Sequence, residues 1–148
     1  MPNKKKLDTT YMEIAKTVAN LSYCWRSKVG AVIVKDNNIL SFGYNGTPGG
    51  MDNCCEDTKG LELVTKWTVL HAESNAITKV ARSTMSSQGA TLYCTLSPCD
   101  ECSKLIIQAG ISRVVYLEEY KKSTKGLKLM QDAGLKVKQL KHDRITII

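Results

Sequence analysis

The sequence of 148 residues has no apolar run that approaches the roughly 20 residues a membrane-spanning helix needs. Its first ten residues are polar and rich in lysine, without the apolar segment of a secretory signal peptide. Internal repeats and low-complexity segments are absent as well. We therefore expect a single domain over residues 1–148, located in the cytoplasm, and we expect no membrane partner.

Aromatic residues are scarce, at 6% of the chain. Proteins that bind along single-stranded nucleic acid use aromatic side chains as stacking platforms, so this scarcity argues against a nucleic-acid partner. The net charge of +7 lies at the ends, because residues 1–6 carry +3, residues 121–148 carry +6 and residues 7–120 carry −2. This distribution favours a small anionic substrate or effector over a polyanion.

Hydrophobic periodicity predicts an α/β fold. An amphipathic helix is expected to begin at an N-cap in Asp8-Thr9-Thr10 and to reach Ser22. A hairpin should follow, and residues 45 to about 61 are expected to form a long functional loop. The predicted strands are 29–35, 39–44, 90–96, 113–117 and 135–140, and the later helices begin near residue 71, at 99 and at 124. This order predicts helices that cover a mixed sheet.

The most informative pattern contains three potential zinc ligands and one carboxylate. His71-Ala72-Glu73 is followed, 25 residues after Glu73, by Pro98-Cys99-Asp100-Glu101-Cys102. One imidazole and two thiolates leave the fourth zinc position open, which is typical of a catalytic metal site and not of a closed structural one. We predict one catalytic Zn²⁺ held by His71, Cys99 and Cys102. The complete pattern is also the signature of zinc-dependent nucleobase deaminases.

Glu73 is the predicted catalytic residue. Both thiols are expected at a helix start, where free N–H groups and the helix dipole favour negative sulfur. Zinc lowers the pKa of bound water to about 7. Glu73 lies two residues beyond the histidine, so it is placed to exchange protons with water and substrate and not to bind the metal.

Each half of the pattern is ambiguous when taken alone. A His-x-Glu triplet occurs by chance in many helices, and Cys-x-x-Cys also marks redox pairs and structural zinc half-sites. A thioredoxin-like pair is weakly supported, because Pro98 precedes the cysteines and no second feature accompanies them. A zinc-stabilised binding module would need a fourth protein ligand. The joint pattern favours the catalytic site.

Four segments carry a resemblance over almost the whole chain. They are Lys28-Val29-Gly30-Ala31-Val32-Ile33-Val34, Gly43-Tyr44-Asn45-Gly46-Thr47-Pro48, His71-Ala72-Glu73-Ser74-Asn75-Ala76-Ile77 and Thr95-Leu96-Ser97-Pro98-Cys99-Asp100-Glu101-Cys102. With these motifs the chain resembles the deoxycytidylate (dCMP) deaminase branch of the cytidine deaminase superfamily. The resemblance implies a three-layer αβα sandwich with a five-stranded mixed sheet, and deamination of dCMP to dUMP and ammonia.

The resemblance also implies where the substrate binds. Asn45 matches the loop residue that helps to hold the nucleoside, and Tyr120 matches an aromatic position near the bound nucleotide. Ala72, between the histidine and the glutamate, is a further substrate-binding candidate. Our candidates for the phosphate, chosen by their position before the first strand, are Ser22, Arg26 and Lys28. A solvated surface role is equally compatible with Lys28.

Regulation and assembly follow from the same resemblance. Members of this branch are typically homo-oligomers, often hexamers, activated by dCTP and inhibited by dTTP. The effector site is expected at subunit contacts near Gly43, Tyr44 and Gly46, with Arg82 as an additional candidate. An ordinary hairpin exit is the alternative interpretation of these glycines.

Some viral relatives hold a second zinc with cysteines that correspond to Cys24 and Cys54. Leu61 and Val69 occupy the positions of its other ligands here, so a second zinc is not expected, although Cys55 offers a substitute thiol. We expect Cys24, Cys54, Cys55 and Cys94 to be free buried thiols.

Two alternatives remain within the enzyme hypothesis. One is a deaminase that accepts both dCMP and dCTP, since room around the phosphate is not visible in a sequence. The other acts on a polynucleotide, either tRNA adenosine or single-stranded DNA, and would use the basic segment with Lys121, Lys122, Lys125 and Lys128.

Overall fold

The computed structural model describes residues 3–141. The helices are α1 (Lys4–Ala19), α2 (Ala72–Ala81), α3 (Asp100–Gln108) and α4 (Lys125–Asp132). The strands are β1 (Gly30–Lys35), β2 (Asn38–Tyr44), β3 (Glu56–Lys59), β4 (Glu62–Thr65), β5 (Thr91–Leu96), β6 (Arg113–Glu118) and β7 (Lys136–Gln139). The end of the basic C-terminal segment, residues 142–148, lies outside the described residues.

A five-stranded mixed sheet forms the middle layer, with the strand order β2-β1-β5-β6-β7. The strand β1 is antiparallel to both β2 and β5, whereas β5, β6 and β7 run parallel. Two adjacent residues with positive φ, Asp36 at 49° and Asn37 at 61°, join β1 to β2. That backbone fits the twist of a tight hairpin. The predicted five-stranded mixed sheet is confirmed.

Both faces of the sheet are buried, which explains the continuous apolar strands. On one face Val32, Tyr93 and Val115 pack with α1 through Tyr11 and Met12. On the other face the alternate strand residues pack with α2, α3 and α4; they include Ile33, Leu92, Val114, Ala76, Ile106 and Met130. The fold is therefore the predicted three-layer αβα sandwich. No helix among residues 3–141 has the length and apolar character to cross a membrane.

The first helix differs from its prediction. It begins at Lys4, and its N-cap is Asn3, whose side chain accepts a hydrogen bond from the backbone N–H of Lys6 at 2.9 Å. Asp8 was predicted to be part of the cap, but it lies inside the helix and is buried against the sheet. The prediction was wrong because a polar residue before an apolar period has the same local pattern as a cap.

The predicted loop after residue 45 is only partly a loop. Residues 56–65 form a small antiparallel hairpin, in which Glu56 is paired with Thr65 and Lys59 with Glu62. Almost every residue of this hairpin is exposed, so it lacks the apolar alternation by which strands are recognised. The chain continues from the end of this hairpin at Thr65 to His71 and the start of α2, where the predicted metal site begins.

Candidate metal centre and active site

The three predicted zinc ligands meet where two helices begin. His71 is the N-cap residue of α2, and its side chain makes no capping hydrogen bond. Cys99 is the N-cap residue of α3, and its Sγ accepts from the backbone N–H of Cys102 at 3.4 Å. His71 Nδ1 lies 3.3 Å from Cys99 Sγ and 3.4 Å from Cys102 Sγ. The fold therefore brings together ligands that are 28 and 31 residues apart in sequence.

The donor set fits a tetrahedral zinc ion. Zinc bonds of about 2.3 Å to sulfur and about 2.0 Å to nitrogen place tetrahedral nitrogen and sulfur ligands roughly 3.5 Å apart. The two measured separations are close to this value, and the three ligand atoms all lie within 4.8 Å of one another. His71, Cys99 and Cys102 can hold one zinc ion and leave one coordination position open.

Contacts among the three side chains shift their pKa values. Hydrogen bonds from Cys102 and His71 lower the pKa of Cys99 to about 4, although burial acts in the opposite direction. The same contact with Cys99, together with burial, raises the pKa of Cys102. The hydrogen bond with Cys99 also raises the pKa of His71. Cys99 is therefore the thiol that ionises most readily, and zinc binding requires both thiols and His71 to be deprotonated.

Glu73 lies in the first turn of α2 and is only 3% exposed. Burial raises the pKa of its carboxyl, while a backbone hydrogen bond and the charge of His71 act against this rise. A raised pKa suits a carboxyl group that must both accept and donate protons near neutral pH. Glu73 lines the same cavity as His71 and Cys99, so the predicted acid/base residue lies at the predicted metal site.

A cavity of about 440 Å³ opens over these groups. This volume lies within the range of roughly 300–1,000 Å³ that is usual for small-molecule sites. Four predicted substrate residues line the cavity: Arg26, Asn45, Ala72 and Tyr120. Ser22 and Lys28 do not. The Ser22 hydroxyl donates to the carbonyl of Asn45, and the Lys28 ammonium donates to the carbonyl of Ser22.

Asn45 holds the cavity wall together. Its side-chain oxygen accepts from the backbone N–H of Val29 at 2.9 Å, and its side-chain nitrogen donates to the carbonyl of Ser27 at 2.7 Å. These two bonds join the end of β2 to the segment before β1. The amide that was predicted to bind substrate thus also fixes the backbone beside the cavity.

Sequence reasoning missed several residues of this wall. Glu56, Val64, Thr65 and Val69 come from the unpredicted hairpin and the segment after it, and Lys122 comes from the segment after β6. In the sequence, Lys122 is distinguished only as part of a run of basic residues, and Val69 only as a position of the second zinc site of some viral relatives. The cavity therefore contains two cationic side chains, Arg26 and Lys122.

Three of the predicted effector residues, Gly43, Tyr44 and Gly46, lie at the end of β2 or just after it, whereas Arg82 lies at the C-terminal end of α2. Gly43 packs against α2 so closely that a β-carbon would collide with the carbonyl oxygen of Ala72, whereas Gly46 has open space at that position. The ammonium of Lys79 lies 4.4 Å from the centre of the Phe42 ring and 5.7 Å from that of Tyr44. Arg82 is the C-cap residue of α2. Lys79, which the sequence did not single out, is the cation beside these rings.

The expectation of four free buried thiols outside the metal site was wrong in two respects. Cys24 and Cys55 form a disulfide that joins the segment after α1 to the start of the β3–β4 hairpin. Cys54 is free but exposed, and Cys94 is free and buried as predicted. The partners Cys24 and Cys55 are 31 residues apart, and no spacing rule pairs them in advance.

A known protein family matches the part of the chain that contains the candidate metal site. The family model described as "Cytidine and deoxycytidylate deaminase zinc-binding region" matches residues 5–118. This range contains all three ligands and Glu73. It also contains the cavity wall apart from Tyr120 and Lys122.

Two curated relatives illustrate the match in sequence. The deoxycytidylate deaminase of Saccharomyces cerevisiae is 39% identical over 139 residues, covering 89% of this chain and 44% of the relative. The deoxycytidylate deaminase of Enterobacteria phage T4 is 36% identical over 168 residues, and the match covers 87% of this chain and 87% of the relative. The chain thus spans less than half of the yeast relative and most of the phage relative.

A solved structure shows the same fold. The dCMP deaminase of cyanophage S-TIM5, in complex with dCMP and dUMP, superposes with a TM-score of 0.87 and 42% sequence identity. The match covers 94% of this chain and all of the cyanophage chain.

Proposed function

Because this chain belongs to the cytidine and deoxycytidylate deaminase family, we propose that it hydrolyses dCMP to dUMP and ammonia with one zinc ion per chain. The observation that carries the proposal is the position of Glu73 beside His71, Cys99 and Cys102, at a cavity of nucleotide size. The relatives and the cyanophage structure with dCMP and dUMP support the choice of substrate.

The chemistry requires a nucleophilic water and a group that moves protons. Zinc held by His71, Cys99 and Cys102 would lower the pKa of a bound water to about 7. Glu73 accepts the proton of the water that attacks C4 of the cytosine ring, and then delivers a proton to N3. The same carboxyl group later takes the proton of the new C4 hydroxyl and passes it to the amino group, so that the C4 carbonyl forms, the C4–N bond breaks and ammonia leaves. A buried carboxyl with a raised pKa can hold these protons between steps.

The cationic residues at the cavity support a phosphorylated substrate. Arg26 and Lys122 line the same space as Glu73, and both guanidinium and ammonium groups pair well with phosphate. A free nucleoside offers no anionic group to either of these charges. Since the number of phosphates that fit depends on the room beside these residues, dCTP stays the alternative substrate.

We also propose that the protein acts in the cytoplasm as a homohexamer, activated by dCTP and inhibited by dTTP. The family resemblance at residues 43–48 is the main support. The open space at Gly46 and the cation beside Phe42 and Tyr44 are compatible with a nucleotide at this end of β2.

The test follows deamination by ultraviolet absorbance with dCMP, dCTP, deoxycytidine and a single-stranded oligonucleotide, each with and without dCTP or dTTP as effector. The proposal expects dCMP to have the highest kcat/KM, with activation by dCTP and inhibition by dTTP. Preference for the oligonucleotide, with binding that falls steeply as salt rises, would instead support a polynucleotide deaminase.

A further inference from the structure

Arg26 lies in a segment with no regular structure of its own. Residues 20–29 connect α1 to β1, and the Arg26 side chain reaches the cavity wall from this connection. A flexible guanidinium group would lose conformational freedom each time it bound an anion. The surroundings of Arg26 therefore decide how effectively it contributes to binding.

The base of the β3–β4 hairpin holds the Arg26 backbone. Glu56, the first residue of β3, is 9% exposed, and its carboxylate accepts hydrogen bonds from two consecutive backbone N–H groups. The distances are 3.1 Å from Trp25 and 3.2 Å from Arg26. A carboxylate that bridges two consecutive amides fixes the orientation of the peptide from which the Arg26 side chain emerges.

The opposite residue of the hairpin holds the other end of the same side chain. Thr65 is the direct partner of Glu56 in the β3–β4 register. Its Oγ1 accepts a hydrogen bond from Arg26 Nη1 at 2.9 Å. One strand pair thus fixes Arg26 both at its backbone and at its guanidinium group.

Anchoring of the segment does not by itself require Glu56. The Cys24–Cys55 disulfide joins the segment covalently to the hairpin, and the Asn45 side chain bonds to Ser27 and Val29 on its other side. Glu56 binds the backbone between these two anchors, at Trp25 and Arg26, and Arg26 is the residue whose side chain lines the cavity. We propose that Glu56 is a positioning residue that, together with Thr65, holds Arg26 in place to bind the substrate phosphate.

This proposal rests on the proposed function, and it makes an unusual prediction about sign. Glu56 carries a negative charge near an anion site, so Coulomb's law alone predicts tighter binding of dCMP when that charge is removed. Positioning predicts the reverse, because both backbone N–H groups donate to Oε2 and the neutral amide oxygen introduced by Glu56→Gln accepts more weakly than a carboxylate. The substitution also replaces Oε1, which accepts from Trp25 at 3.3 Å, with an NH₂ group that cannot accept. The direction of the change in KM therefore separates the two effects.

The experiment compares Glu56→Gln and Thr65→Val with wild type, using dCMP and deoxycytidine as substrates. Glu62→Gln, the same substitution at the exposed far end of the hairpin, is the matched control. For Glu56→Gln we expect KM for dCMP to rise about tenfold with kcat unchanged, and kcat/KM for deoxycytidine to stay constant. Thr65→Val should give a smaller rise in the same parameter, and Glu62→Gln no change.

An Arg26→Ala background completes the design. If Glu56 acts through Arg26, Glu56→Gln should cause no further change in KM once Arg26 is absent. An unchanged or lower KM for dCMP in Glu56→Gln would overturn the proposal, as would an equal loss on both substrates. Should Glu56→Gln fail to fold, an unchanged KM in Thr65→Val overturns it too. Failure of the proposed function would look different, because wild type itself would not prefer dCMP to deoxycytidine.

Discussion

Two carboxylates, Asp8 and Glu73, are buried to nearly the same degree on opposite faces of the sheet, at 1% and 3% exposure. Asp8 on α1 accepts two hydrogen bonds from the Arg113 guanidinium, at 2.8 and 2.6 Å, and one from the Tyr93 hydroxyl at 2.7 Å. Burial would raise the pKa of Asp8, but these partners lower it below 3.8. In contrast, burial dominates at Glu73 and raises its pKa above 4.5.

The difference shows how one type of side chain can serve two purposes. A buried carboxylate with a fixed cationic partner stays charged and holds structure, because protonation would break the pair. A buried carboxyl that relies on weaker compensation accepts a proton more readily, at some cost to stability, and becomes useful in catalysis. The predictions below test this contrast between Asp8 and Glu73.

Glu73→Gln should give the largest effect. We expect kcat for dCMP to fall by about 10³-fold, because the glutamine amide cannot exchange the protons. Zinc content should be unchanged, and the melting temperature at neutral pH should rise, because the cost of a buried charge is removed. Glu13→Gln, at an exposed position on α1, is the control. An active Glu73→Gln variant with full zinc would show that Glu73 is not the acid/base residue.

Asp8→Asn should have the opposite profile. Removal of the charge leaves the partly buried Arg113 side chain, 12% exposed, without its anionic partner, which costs about 3 kcal/mol in the free energy of unfolding. Denaturant titration measures this loss, with Asp132→Asn at the exposed end of α4 as the control. We expect kcat per folded molecule to stay unchanged. A large loss of kcat together with normal stability would assign Asp8 to catalysis and remove the contrast.

Acidification should separate activity from folding. The basic form of Glu73 is lost as pH falls through a pKa above 4.5, so kcat/KM should decline there. Asp8, whose folded pKa is below 3.8, contributes its full stability above pH 3.8 and loses it as pH falls through the lower value.

Circular dichroism, activity and zinc content measured over the same pH series provide the check. The protein should become inactive while still folded, and the zinc content at each pH separates protonation of Glu73 from loss of the metal. If activity and ellipticity instead disappear together, the two carboxylates do not differ as described.

Lys138→Ala should give the smallest effect. The Lys138 ammonium lies 3.6 Å from Asp8 Oδ2, but its side chain is 49% exposed. Water screens such a pair, so we expect a loss below about 1 kcal/mol, measured by denaturant titration. A loss as large as that of Asp8→Asn would mean that Lys138, and not Arg113, is the main partner.

The sheet and the metal ligands could be predicted from the sequence because their signals are local. Strands buried on both faces are continuous apolar runs, and each zinc-binding motif lies within a few residues at a helix start. The Asp8–Arg113 pair joins residues 105 apart, and nothing near Asp8 distinguishes it from a helix cap. Long-range pairs of this kind require the fold to be known.

The substrate side of the cavity was harder to predict for a related reason. Its wall includes Thr65 and Val69 from an exposed hairpin region without a hydrophobic period, and Lys122 from a connection between elements. Only Arg26, Asn45, Ala72 and Tyr120 were anticipated, through a family resemblance or their place in the chain and not through a physical pattern. Chemistry concentrated in short motifs can be recognised in a sequence, whereas a cavity assembled from distant segments cannot.

The most direct test of the central claim measures dCMP deamination as a function of bound zinc. The protein is stripped with a chelator and then reloaded stepwise, with the metal counted at each step. We predict no turnover without zinc, a linear rise in kcat up to one zinc per chain, and a plateau beyond that ratio. Full turnover by the stripped protein, or no turnover of dCMP at one zinc per chain, would contradict this account.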